Sequence, residues 1–207
     1  MRGREQVIGA LILVTATYYG LVRIAEEKCD AAVGSSTLSL DPRNPEDLAA
    51  FERLQAQLVR MGQDVLADRL EQLRLKQDLW VAPGMGPERW AAYVESLGLA
   101  HRIYIRRMAL LNPLAHLYPR GADDVPTDFQ AAFAWLSLGG AMRHELAHYD
   151  GAIEEAEAYR HELAWYDEVG RSAFFTGLSS DERTAWTWAL ESAVSSAEKA
   201  AERAEAA

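Results

Sequence analysis

Apolar residues recur at helical spacing along most of this chain. From Leu48 they fall at Phe51, Leu54, Leu58, Met61, Val65, Leu66, Leu70 and Leu73, which predicts one amphipathic helix to about Gln77. Asn44-Pro45-Glu46-Asp47 gives it a start, with a cap, a first-turn proline and acids that complement the helix dipole. Pro83-Gly84-Met85-Gly86-Pro87 forces a break, and Glu88 to Leu97 reads as a short helix carrying Trp90 and Tyr93. His101 to Arg106 alternates polar with apolar residues and is the best strand candidate. Asn112-Pro113 and Pro119 to Pro126 read as loops. Thr127-Asp128 then caps a long helical pattern through Phe129, Phe133, Leu136, Leu138 and Met142 to Tyr149. A second helix is expected after Asp150-Gly151, to about Val169, and a last one from Ser179-Ser180-Asp181-Glu182, a capping signal. The expected class is mainly α, α+β at most: a helical domain with a small strand or short sheet, preceded by an N-terminal hydrophobic helix.

That first helix has its own character. Val7 to Val22 is sixteen residues without a charge, preceded by two arginines and followed by Arg23, the shape of a signal peptide or signal anchor. Tyr18 and Tyr19 suit a membrane interface, and Arg23 can snorkel. Small residues in a cleavage pattern are poorly placed, and Glu27-Lys28 before Cys29 excludes a lipobox, so an uncleaved anchor is favoured. The expected division is residues 1–24 as anchor or signal peptide, 25–45 as linker, 46–194 as the main domain and 195–207 as an acidic Ala/Glu-rich tail. The expected location is membrane-anchored or exported.

Composition changes the picture in two ways. A single cysteine excludes an internal disulfide framework and a cysteine-based zinc finger, so any metal must be held by histidine and carboxylate. The net charge of −10 argues against a nucleic-acid partner, which calls for a basic stripe. The excess is local, because residues 1–143 carry 17 acidic and 16 basic groups whereas residues 144–207 carry 14 and 5.

The acidic third begins with His144-Glu145-Leu146-Ala147-His148. Histidines four apart on a helix point the same way and can close on one metal ion, with Glu145 beside them to take a proton from a metal-bound water. Gly151 can end the helix in a left-handed conformation and let the chain double back. In an antiparallel hairpin about that glycine, residue 146 faces roughly residue 156. Glu154 and Glu157 bracket this point on one face, with Glu155 and Glu162 expected on another. Glu157 is preferred as third ligand and Glu154 is the alternative. His161 and Tyr159 are candidates to support the ligands from behind. The sequence Glu145 to His148 also fits half of a di-iron carboxylate site, but the residues three before His101, His116 and His161 are Gly98, Pro113 and Ala158, so the second half is missing.

On these residues the chain resembles the zincin metallopeptidases, in the form that holds Zn2+ by two histidines and a glutamate. The resemblance covers about 60 residues, from His101–Arg106 to Glu157-Ala-Tyr. It implies peptide-bond hydrolysis with Glu145 as general base, a peptide or protein substrate, and a sheet-edge strand along the substrate cleft, a part that Ile103-Tyr104-Ile105 would play. Two departures stand out. The last histidine of the metzincin pattern is replaced by Glu154, and the ligand glutamate of the thermolysin-like branch comes much farther along. The alternative from another class is a membrane-tethered helical interaction protein whose motif is structural or fortuitous.

Overall fold

The computed structural model describes residues 2–34, 36–117 and 127–207, with side chains from Thr15 onward, that of Ala16 excepted. The expected loop Pro119 to Pro126 and the side chains of Val7–Val14 lie outside the described residues. Helix α1 (Arg2–Ala32) leads into a short strand β1 (Leu38–Ser39), then α2 (Pro45–Arg60) and α3 (Asp64–Lys76). The single helix expected from 48 to 77 is thus two, because Gly62 takes a left-handed φ of 76° and its neighbour's Gln63 N–H closes back on Leu58 O. Strands β2 (Leu79–Ala82), β3 (Ala91–Ser96) and β4 (Ala100–Arg106) follow, then short helices α4 (Arg107–Leu111) and α5 (Pro113–Leu117). The chain ends in α6 (Asp128–Tyr149), α7 (Glu155–Arg171), α8 (Ala173–Gly177) and α9 (Ser180–Glu205). The protein is mainly helical with a small four-stranded sheet, as the pattern predicts.

The expected short helix at Glu88–Leu97 is instead strand β3, paired antiparallel with β4 from Ala91↔Ile105 to Ser96↔Ala100. In the order β1-β2-β4-β3, with β2 and β4 parallel, β4 is interior and β3 is the edge. Ile103-Tyr104-Ile105 therefore cannot line a cleft from the rim. Alternation along the strands gives the sheet two covered faces. Leu79, Val81, Ala91, Ile103 and Ile105 belong to the main core with Phe51, Leu54 and Leu58 of α2 and Leu136, Met142 and Leu146 of α6. Ala82, Ala92, Ala100 and Tyr104 face the other way, onto Ala25, Cys29 and Val33 of α1. Each large side chain buried this way contributes about 1.5–3 kcal/mol.

Among the described residues no helix is long and apolar enough to cross a membrane. The helix α1 continues through the first part of the expected linker, and α9 runs unbroken past residue 195, with Ala193 and Ala197 buried against the core. Two of the expected capping signals act as such, whereas Asn44 stands at the N-cap of α2 without a side-chain capping bond, its amide donating to Ser39 O instead. Thr127 with Gln130, and Ser179 with Glu182, form reciprocal boxes that satisfy the first-turn donors of α6 and α9.

Candidate metal centre

Helix α6 carries the His-Glu-x-x-His residues in its last two turns and then stops at Gly151, whose φ is 115°. The Gly151 N–H donates to His148 O and the Ala152 N–H to Ala147 O, which uses up the terminal carbonyls and reverses the chain into α7. The two helices pack closely because Gly139 and Gly140 offer no side chain where Trp165 and Tyr166 arrive. A Cβ at Gly139 would sit 2.5 Å from the Trp165 ring, and one at Gly140 would sit 2.1 Å from the Tyr166 hydroxyl oxygen. These pairings, with His148 opposite Glu155 and His144 opposite Tyr159, set the register at the site.

His144 and His148 present their rings at 5.0 Å centroid separation, both nearly buried. Their Nε2 atoms lie 3.1 and 3.6 Å from one oxygen of Glu155, and one ligand atom from each of the three falls within 4.8 Å of the others. The Nδ1–H of His148 donates to Ala152 O at 2.8 Å, which fixes the tautomer and leaves a bare, buried Nε2 without a hydrogen-bond partner. Of the four buried side-chain atoms lacking a partner among the described residues, two belong to these histidines. Buried polar atoms are nearly always paired; His144 Nδ1 faces Glu162, but His148 Nε2 points to where the ligand atoms converge and marks a place built for something else. His144, His148 and Glu155 can hold a metal ion.

Behind them stands a supporting layer. Glu162 Oε2 lies 3.4 Å from His144 Nδ1, while its Oε1 accepts from the Tyr166 hydroxyl at 2.8 Å. Tyr159 packs edge-on against His144 at 4.4 Å, and Tyr93 stacks on His148 at 6.2 Å. Burial alone would depress the His144 pKa, but Glu162, Glu145 and Glu155 outweigh it and the net shift is upward. Glu145 points toward the sheet, where one oxygen accepts the Tyr93 N–H of edge strand β3 at 2.6 Å. Burial pushes its carboxyl above the ordinary range, against the pull of His144, the Tyr93 N–H and His148.

The remaining expected residues fall elsewhere. Glu154 is the extended N-cap of α7 and Glu157 is exposed; neither approaches the imidazoles. The expected face of α7 differs from the observed one because the helix begins one residue after Glu154. That start puts Glu155, Tyr159, Glu162 and Tyr166 in one stripe. His161 is exposed and accepts from Arg143 at 3.1 Å, away from the histidine pair, whereas Tyr159 does back His144. Glu155, Glu162 and the Tyr93 amide escape the sequence reading. The i, i+4, i+7, i+11 spacing of that stripe was the signal available for the first two.

Clefts open on both sides of Glu145. One, of about 410 Å³, is lined on the His144 side by Trp90, Ala91, Phe133, Ala141 and Tyr159. The other, of about 440 Å³, is lined on the His148 side by Tyr93, Glu95, His101 and Ile153. Residues of β3 or its approach line both, so the edge strand runs beside the histidines from one cleft to the next. No known family, curated protein or solved structure matches the chain.

Proposed function

We propose that this chain is a zinc-dependent peptide hydrolase held at a membrane by its N-terminal segment. The observation that carries the reading is the bare, buried Nε2 of His148, its tautomer fixed by Ala152 O, converging with His144 on Glu155 beside the half-buried Glu145. Two imidazoles and a carboxylate with no thiol suit zinc, and three protein ligands are the number a catalytic site uses. Bound zinc supplies a water acidified toward neutrality and polarises the carbonyl under attack. Glu145 takes the proton from the attacking water and passes it to the leaving amine. Its raised basicity serves the first transfer, and the Tyr93 amide holds one oxygen so that the other is free for the proton. Glu162, itself held by Tyr166, steadies His144. The paired clefts along β3 suit an extended chain lying across the site.

The test joins metal analysis to one substitution. The purified chain is expected to carry stoichiometric zinc, and Glu145→Gln to keep it while hydrolysis of a mixed peptide library falls by roughly 10²–10⁴-fold. Zinc-free protein with unchanged melting on chelation overturns the reading. Loss of zinc in Glu145→Gln points instead to a structural site.

A further inference from the structure

We infer that the groove works at the membrane surface, on polypeptide segments that emerge from the bilayer to which α1 is held; the inference rests on the membrane-held peptidase reading above. The starting observation is the joint between the N-terminal helix and the sheet. Helix α1 is continuous from Arg2 to Ala32, so the uncharged run and the part that packs on the sheet are one rod. Ala25, Cys29 and Val33 are buried on the sheet. Arg102 of β4 pairs with Asp30 and Glu26 at 2.9 Å each, and the Tyr104 hydroxyl donates to Asp30 at 2.7 Å. Arg23, the first charge after the run, precedes Ala25 by two residues, about 3 Å of helix. A membrane-held α1 therefore leaves the domain no slack to stand off from the lipid.

The orientation follows from the same contacts. Gly34 approaches Gly84 just beyond the end of β2, while Cys29 lies against the carbonyls of Val94 and Ala100. The N-terminal direction of α1 thus runs toward the β3–β4 turn. At that turn Leu97 is 56% exposed, although it is apolar and is held at a left-handed φ of 57°. Ile24, Leu21, Tyr19 and Tyr18 are exposed on the nearby stretch of helix, the residue types that sit at a lipid interface. From Leu97 the edge strand reaches Tyr93, whose amide holds Glu145, in four residues or about 13 Å. A depression lined by Glu26, Leu99, His101 and Tyr149 shares His101 and Tyr149 with the His148-side cleft. The groove accordingly opens at the end where α1 departs, beside Ile153, which is 92% exposed. A chain leaving the bilayer beside α1 reaches the histidines after only a few extended residues.

The experiment uses the full chain in vesicles of phosphatidylcholine with a minority of phosphatidylglycerol. The mixed peptide library is offered once free and once coupled to a phospholipid in the same vesicles. Confinement raises the effective concentration, so the lipid-coupled library is expected to be cut on the order of a hundredfold faster. Inserting about seven helix-forming residues between Val22 and Arg23 lifts the domain by roughly 10 Å without turning it, and should erase that preference. Leu97→Asp, which tolerates the left-handed backbone, should reduce the preference and leave hydrolysis of the free library unchanged. Equal rates on the two libraries, a preference that survives the insertion, or a chain that washes off the vesicles overturns the inference. Hydrolysis of neither library overturns the peptidase reading and this inference with it.

Discussion

The two faces of the small sheet treat buried charge in opposite ways. On the α1 face the Arg102 side chain is 8% exposed, yet it is paired with Asp30 and Glu26 and lies over the Trp80 ring at 4.7 Å. Asp30 in turn accepts from Tyr104, so each member of the group answers another. On the α6 face His148 Nε2 is buried without a hydrogen bond, and Glu145 is half-buried on a single backbone amide. The first arrangement fixes one element to another. The second leaves coordinating capacity unspent at a point where three ligand atoms converge, which is what separates a site from a fastening.

The comparison can be broken from either side. The largest stability effect is expected on the fastened face. Asp30→Ala removes one of the two carboxylates on a buried guanidinium and the acceptor of the Tyr104 hydroxyl, and should cost about 3 kcal/mol by denaturant unfolding. A loss below about 1 kcal/mol would mean that Glu26 alone suffices and that α1 is held mainly by its apolar contacts. On the open face, Gly140→Ala drives a methyl into Tyr166 and should cost about 1–3 kcal/mol while weakening zinc binding, because the α6–α7 spacing sets the ligand geometry. Unchanged zinc affinity in this variant would uncouple the helix contact from the site.

Smaller effects sharpen the contrast. Glu162→Gln keeps the shape but removes the charge behind His144, and should lower zinc affinity by roughly 10–100-fold in a competition titration. The smallest is a pH dependence. Because the folded His144 pKa is raised, the metal-free protein gains stability from this group that is fully present below the ordinary imidazole value of about 6.5 and is lost as pH rises through the folded value. Zinc needs the neutral ring, so its affinity should fall as pH drops through the same window. Melting of the metal-free chain that is flat from acid to neutral pH would contradict this sign.

Some of this was readable in the sequence. The histidine pair and Gly151 followed from spacing and from the residue type that accepts a left-handed stop most readily. The axial register of the hairpin was also within reach, since residue 146 was expected near 156 and the observed partners agree within about a residue. The rotation of α7 was not. It depends on whether Glu154 lies inside the helix or before it, and one residue of difference swings every side chain by about 100°. Strand β3 was hidden because Glu88 to Leu97 mixes aromatic and charged residues without clean alternation, and only pairing to β4 decides its state. Strand β2, four residues of which all but Trp80 are buried, is too short to carry a period to detect.

The lone cysteine gives the joint beneath α1 a built-in clock. Cys29 is fully buried where the helix meets the sheet, and burial raises its thiol pKa, which slows reaction further. A thiol reagent can reach it only in the fraction of time that α1 has lifted away. With no second thiol to compete, the labelling rate of the unaltered chain counts those departures. Comparing that rate in detergent, in vesicles and with substrate bound would read the grip of helix on sheet in units of openings per hour, with no mutation introduced.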